Sequence, residues 1–569
     1  MLNPDIGGRY FFNTKNFPQS NNEAFDIIKR KDAFRIFVLG GSSAAGFPFS
    51  PNGTFSRYIS DRLELVYPEV PIEVVNVAIT ATNSYTIRDL FPDIVEQKPD
   101  LILIYAGHNE YYGALGVGST ENIGNSRGFV HLLICLNKFK TVEFVRNIFQ
   151  SAGSLFSSES VQDTARGGTL MARIVKDQLI TFNSEDYSTG INQFKENLED
   201  IFQMSGEADI PVIIGTLVSN LKDQRPFVSV NTTNQESATI IFEKGQQKFK
   251  LKDYHSADSL FRIAKDLDAL RFRAPEKINS IIRELASKYN CGISNLDSAF
   301  NVESPDGIVG NNLLVDHLHP TLSGYFLMGK IYFDTMKKLN YLPQVPTIIM
   351  SDSEQDSIVI SNFAFSRLDS VIADIRLIGL LNDWPFVDDP DFSFLKDLAL
   401  KNMIDAIAYG IAVENKNWEI GHGKAAQWYL TKQDYLNFAK EMKILTSQYS
   451  FKLSFYDQAS VELLNVKEYD LAYPFLINRN KESPDAFSTK WLGNIYLNRG
   501  KVDKAINYLK QSIALDDSDA QVYYNLAVAY IKIEEYKSAL ESIEICIKIN
   551  PEFPNAKSLK IQLAEILRQ

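Results

Sequence analysis

Arg35-Ile36-Phe37-Val38-Leu39 runs into Gly40-Gly41-Ser42-Ser43-Ala44-Ala45-Gly46, and this junction decides the reading of the first half of the chain. A short apolar run closed by glycines and small residues reads as a buried strand ending in a tight turn. A serine on such a turn, with small neighbours, has an exposed hydroxyl and a backbone N–H free to donate. Outward from this point to about residue 340, short apolar runs alternate with amphipathic stretches, the pattern of a parallel sheet covered by helices. Strands are expected at 35–39, 73–77, 101–106, 212–216 and 292–296, and helices at 55–66, 86–97, 191–204, 275–289 and 321–339. The polar motifs then fall after strands, on the edge where open α/β sheets bind ligands.

Two insertions interrupt this alternation. The first, about 111–190, begins with Gly113-Ala114-Leu115-Gly116-Val117-Gly118. A dinucleotide fingerprint needs a further glycine at 121, where the chain has Glu121, so that reading fails. The second, about 231–273, reads as a helical hairpin, with Gly245, Tyr254, Ala257, Phe261 and Ala264 spaced for helix-to-helix packing. Near the C-terminus Gly493, Tyr496 and Ala505 recur 34 residues later as Ala527, Tyr530 and Ala539. That period resembles tetratricopeptide repeats, whose units bury each other's faces and must therefore occur in series. Weaker copies run back through Ala472 and through Ala426, Tyr429, Phe438 and Met442, and 556–567 reads as a capping helix. Residues 342–356 hold Pro343, Pro346 and a Ser-Asp-Ser-Glu-Gln-Asp stretch and read as a linker, followed by an amphipathic helix over 363–381. The expected organisation is an N-terminal extension (1–33), an α/β domain (34–341), a linker and helical connector (342–414) and helical repeats (415–569).

With 58 basic and 70 acidic residues the chain carries a net charge of −12, without a basic stripe, which excludes nucleic acid as an expected partner. Cys135, Cys291 and Cys546 are scattered and odd in number, giving neither a disulfide framework nor a zinc-ligand spacing. The start has neither the basic region nor the apolar core of an export signal, and no segment offers the roughly 18 apolar residues of a membrane helix. A cytoplasmic location is expected from the chain as given; membrane anchoring at a bacterial envelope is expected instead if an apolar segment precedes Met1.

Four blocks carry chemistry: Gly41-Ser42 with Gly46; Asn76-Val77-Ala78-Ile79-Thr80-Ala81; Gly107-His108-Asn109-Glu110; and Asp316-His317-Leu318-His319. An imidazole three residues after a carboxylate can take a proton from a hydroxyl while the carboxylate holds its tautomer. In this order the blocks resemble the SGNH (GDSL-like) hydrolase family over roughly 34–339. The resemblance implies a three-layer α/β fold with a flavodoxin-like parallel sheet, preceding the all-α repeat domain. It makes Ser42 the nucleophile, His319 the base, Asp316 its orienting partner, and the Ser42 N–H, the Ala81 N–H and the Asn109 amide the oxyanion donors.

The chain departs from the family at three points. Gly41 replaces the usual aspartate before the serine, Ala81 stands where glycine is usual, and Glu110 replaces the commoner aspartate. If position 81 needs a positive φ, alanine there costs about 1–2 kcal/mol. Substrate contacts are expected from His108, Asn220, Arg271 and Arg273; His131, His255, His317 and His422 read as structural. No cofactor or metal is expected. The implied activity is hydrolysis of an O-acyl ester, with acylated carbohydrate as a substrate class by family analogy. Two alternatives stand beside it: transfer of the acyl group to another alcohol, and an inactive scaffold whose repeats bind a protein or peptide.

Overall fold

The computed structural model describes residues 4–11, 18, 23–122, 124, 126–138, 175, 179–231, 236–345, 347–392 and 402–568. The chain divides into two units, 1–415 and 416–569. Much of the first insertion and residues 232–235 of the second lie outside the described residues.

The first unit is built on five parallel strands: β1 (Phe34–Gly40), β2 (Ile72–Asn76), β3 (Leu101–Tyr105), β4 (Val212–Gly215) and β5 (Gly292–Ser294). Their order is β2-β1-β3-β4-β5, with Val38 opposite Asn76 and Gly40 opposite Tyr105. Side chains alternate between sheet faces, yet every residue of β1, β3 and β4 is buried, so both faces are covered. Helices Phe55–Val66 and Leu322–Lys338 pack together in one group. Helices Ser84–Val95, Glu185–Ala208 and Glu276–Lys288 form the other. Because the order reverses at β1, the connections leave β1 and β3 in opposite directions, and the crevice between their carboxyl ends receives the loops after both strands.

The expected extension and linker are partly integral to this unit. Tyr10 and Phe11 are buried with Ile79, Ala81, Tyr85 and Leu115. The Asp352–Ser361 stretch is a helix and not a linker: Ser351 and Glu354 form a reciprocal capping box. Asp352 and Asp356 lie 3.1 and 2.9 Å from the buried Arg62 guanidinium, which would otherwise be an unbalanced internal charge. The next helix begins at Arg367 and not at 363, because Ser366 and Asp369 cap it. Its Arg376 donates to the Pro48 and Ser50 carbonyls at 3.0 and 2.7 Å, bracing the loop that follows Ser42.

The second insertion is the expected hairpin, Ala238–Lys250 and Tyr254–Leu267. In the second unit four antiparallel helix pairs precede the helix Ala556–Ile566, the last two being Ala486–Asn498 with Val502–Leu515 and Ala520–Lys532 with Tyr536–Ile549. The 34-residue period is a packing period: Leu509 and Ile543, and Ser512 and Cys546, are buried in register. A Cβ on Gly493 would lie 2.7 Å from Leu509 Cγ, so the residue must be small for the two helices to meet. No helix among the described residues is long and apolar enough to cross a membrane.

Candidate active site

β1 ends at Gly40, whose φ of +155° and approach to the Tyr105 carbonyl leave no room for a side chain. The chain then turns through the short helix Ser42–Ala45, closed by Gly46 in the left-handed region. Ser42 opens this turn, so its N–H has no partner within it. The last residue of β2 clamps the turn from the side: Asn76 Nδ2 donates to the Ala44 carbonyl at 2.8 Å and to Ser56 Oγ at 3.0 Å. Asn76 was visible in the second motif block, but its bracing role depends on register between β1 and β2.

The fourth block folds back on itself. Val315 N–H donates to the His319 carbonyl at 2.8 Å and Thr321 N–H to Leu313 O at 2.8 Å, closing a tight loop before helix Leu322–Lys338. Inside it, Asp316 Oδ1 accepts from the Leu318 and His319 N–H groups, both at 2.8 Å. Its Oδ2 lies 2.6 Å from His319 Nδ1, and His319 Nε2 lies 2.7 Å from Ser42 Oγ across 277 residues of chain. All three side chains are buried. Burial alone would raise the Asp316 carboxyl, but the facing His319 ring and its accepted hydrogen bonds hold it well below the usual carboxylate range. An ionised Asp316 requires the proton of neutral His319 on Nδ1, leaving Nε2 as an acceptor toward the hydroxyl. The Phe47 ring packs on His319 at 4.7 Å, and Tyr325 O–H holds the Phe47 carbonyl at 2.8 Å.

Asn109 follows β3 and faces the same turn. Its Nδ2 donates to Thr82 O at 3.2 Å and lies where a Cβ on Gly41 would be only 2.6 Å away. That close approach gives Gly41 a reason to lack a side chain. Ala81 has a φ of +58°, the left-handed conformation for which glycine is favoured, and its carbonyl accepts from Ala114 N–H at 2.9 Å.

The expected substrate contacts turn inward. Asn220 is a brace and not a surface contact: its amide donates to Asn311 Oδ1 and to the Asp316 carbonyl at 3.1 Å, and its Oδ1 accepts from Asp223. Arg273 is buried against Asp268 at 3.2 Å and donates to the Asn220 and Gln224 carbonyls. Arg271 is buried too, lying over the Tyr187 ring and donating to Asp266 O. His108 accepts from Ala274 N–H through Nδ1, and burial, with Lys265 nearby, drives its pKa well below the usual value. His317 sits among Phe227, Phe272 and Phe386 with no hydrogen bond to either nitrogen. Burial lowers its pKa to about 3, so it is neutral.

Asp316, His317 and His319 each offer a ligand atom, all within 4.8 Å of one another. A cation there would have to break the Asp316–His319 hydrogen bond and compete with Ser42 for the ring. The donor set therefore fits proton transfer better than metal binding.

Among known families, the TPR repeat model matches residues 493–534 and the Fis1 C-terminal tetratricopeptide repeat matches 521–564. Two sequences of the Hsp70-Hsp90 organising protein of Plasmodium falciparum, one from isolate 3D7, are each 36% identical over 75 residues, or 13% of this chain. The match spans 29% and 13% of those relatives' lengths. MamA from Desulfovibrio magneticus RS-1 is 18% identical with a TM-score of 0.23, covering 26% of this chain and 89% of that one. The acetylxylan esterase Axe2 of Geobacillus stearothermophilus is 12% identical with a TM-score of 0.29, covering 56% of this chain and all of that one. Structural likeness at these scores carries no argument here. The matched families do establish that the chain ends in tetratricopeptide repeats.

Proposed function

We propose that the chain is a serine esterase of the SGNH kind, cleaving an O-acyl ester through an acyl-enzyme on Ser42. The observation that carries this reading is the unbroken line of short contacts from Ser42 Oγ through His319 to Asp316. In the first step Ser42 Oγ attacks the acyl carbonyl as His319 Nε2 takes its proton. The alkoxide leaving group departs with that proton as the alcohol, and Asp316 stabilises the transient imidazolium. Water then adds to the acyl carbon by the same route, releasing the carboxylic acid and restoring Ser42. Oxyanion charge is met by the Ser42 N–H, the Ala81 N–H and Asn109 Nδ2. Acylated carbohydrate is the substrate class we put forward, on the motif resemblance alone. The repeats point to protein partners, which they would engage whether or not the first unit turns over substrate.

Labelling of the full chain with a fluorophosphonate, alongside p-nitrophenyl acyl esters and acetylated sugars with and without acceptor alcohols, tests the reading. Covalent modification of Ser42 with release of free acid supports an esterase, and acyl transfer to the added alcohol would instead identify a transferase. A folded chain that neither labels nor turns over any ester would leave only the interaction role.

The Gly41–Asn109 contact gives a sharper expectation. Gly41 has a negative φ of −94°, so alanine is tolerated by the backbone. The added methyl meets only the end of the Asn109 side chain, which can swing away at small cost in stability. Gly41→Ala is therefore expected to melt close to the parent while turnover falls toward the roughly 10²–10³-fold loss of a missing oxyanion donor. Parent-like turnover would show that Asn109 does not act from this position.

A further inference from the structure

Glu110 is wholly buried beside Asn109, and none of the steps above uses it. Its Oε1 accepts from Ser84 Oγ at 2.7 Å and from Gln193 Nε2 at 2.6 Å, while Oε2 accepts from Ser84 N–H at 3.2 Å. Ser84 opens helix Ser84–Val95, immediately after the loop that carries Ala81, Thr82 and Asn83. Gln193 belongs to helix Glu185–Ala208, and from the same helix Asn197 Nδ2 donates to Ser84 Oγ at 2.8 Å. Three donors thus converge on one carboxylate, and every one needs an acceptor. Among the described residues no lysine or arginine forms an ion pair with it. The titratable groups interacting with it are Tyr85 and Tyr111, both held neutral by burial; Arg127 and Glu196 interact in turn with Tyr85, and Arg271 with Tyr111.

We propose that Glu110 is a positioning residue, whose carboxylate ties the loop bearing Asn109 to the loop bearing Ala81 and so holds the two oxyanion donors in register. The inference rests on the esterase reading and deepens it. Chain geometry supports it on both sides: Asn109 is the neighbouring residue, and its Nδ2 bonds Thr82 O, two residues before Ser84. Ala114 N–H adds a second strap at the Ala81 carbonyl. A protonated carboxyl would turn one acceptor into a donor and oppose the Ser84 or Gln193 donors. Burial raises the Glu110 pKa to about 7 despite the hydrogen bonds from Ser84 and Gln193. Because the folded value lies above the unfolded one, Glu110 favours the fold at low pH and loses that contribution as pH rises from about 4.5 through about 7.

The test compares the parent chain with Glu110→Gln, Glu110→Asp and Ser84→Ala. Glu110→Gln is expected to lower kcat at least about ten-fold with KM within about two-fold, since an oxyanion donor acts on the transition state. Its melting temperature should decline less than the parent's between about pH 4.5 and 7, the interval between the unfolded and folded values. Glu110→Asp, which keeps the charge, should recover part of kcat. Unchanged kcat in folded Glu110→Gln overturns the proposal. If that variant does not fold, Ser84→Ala replaces it, with a fall in kcat at steady KM expected and parent-like kcat overturning. A parent that is inactive and unlabelled at Ser42 would sink the esterase reading separately. The tie is then judged by hydrogen exchange over 80–85 and 107–114, where faster exchange in Glu110→Gln supports it and equal exchange refutes it.

Discussion

Ser42→Ala is expected to abolish fluorophosphonate labelling and to lower ester turnover by at least about 10³-fold, in a chain that remains folded. The argument is local. Ser42 Oγ makes its short contact with His319 Nε2, while the turn is held by groups the substitution leaves alone: Ala45 N–H to Gly41 O, Gly46 N–H to Ser42 O, and the Asn76 clamp on Ala44 O. Alanine fits a helical turn and removes one small oxygen, so little stability is lost. His319→Ala should cause a loss of the same order, and the double variant should be little worse than either single one, because the two groups act as a unit. Activity counts and mass spectrometry of the labelled chain measure this directly. Labelling that persists in folded Ser42→Ala would place the nucleophile elsewhere and end the proposed mechanism.

The parts of this arrangement that were legible in the sequence are those set by local pattern. β1 and β3 are uninterrupted apolar runs because both sheet faces are covered, so their positions came out within a residue or two. The hairpin and the 34-residue repeat were legible because close helix packing forces small residues at fixed intervals, as at Gly245 and Gly493. Helix Glu185–Ala208 was read six residues short at its start, since its first turn is polar and is set by the Ser184 cap and not by apolar periodicity. The Asp352–Ser361 helix was lost altogether to its acidic composition, although Ser351 and Glu354 spell a capping box. What made those acids structural was Arg62, some 290 residues away in sequence, and no local pattern carries that.

The same division holds within the site. Ser42, Asn109, Asp316 and His319 stand out because motif order carries them, and the folded chain brings their side chains to one crevice. The sequence suggests Asn220 as a substrate contact because polar residues after a strand often face ligand, and Arg273 because it follows the helical hairpin and leads back into the sheet domain. Here Asn220 holds the Asp316 carbonyl and Arg273 holds Asn220, so both serve the loop that presents the carboxylate. Such bracing depends on which loop lies beneath which. Glu110 is visible in the sequence only as a departure from the family's third block, and Arg376 carries no motif at all, for the same reason: one ties two loops and the other secures 48–50, and each bond joins segments far apart in sequence.

Asp316→Asn is expected to cut kcat by roughly 10³–10⁴-fold with the backbone of the loop unchanged. The Leu318 and His319 N–H groups both point at one oxygen of this side chain, so in the amide variant the carbonyl oxygen must occupy that position. The NH₂ group then stands where Oδ2 was and donates to His319 Nδ1, which must become an acceptor. That moves the ring proton to Nε2, the nitrogen facing Ser42 Oγ, and a nitrogen already carrying a proton cannot take the hydroxyl's. Substrate binding does not depend on the tautomer, so KM should move little, and fluorophosphonate labelling should slow by a factor similar to kcat. Raising the pH would not restore activity, because the defect is the position of a proton and not its loss. Because the native carboxyl is held below its ordinary value, its ionised form supports the fold above the unfolded pKa of about 3.9, and that support is lost as pH falls through the folded value. Asp316→Asn should therefore melt lower than the parent at neutral pH, with the gap narrowing on strong acidification. Turnover within about ten-fold of the parent would mean that His319 is not held as a base by this carboxylate.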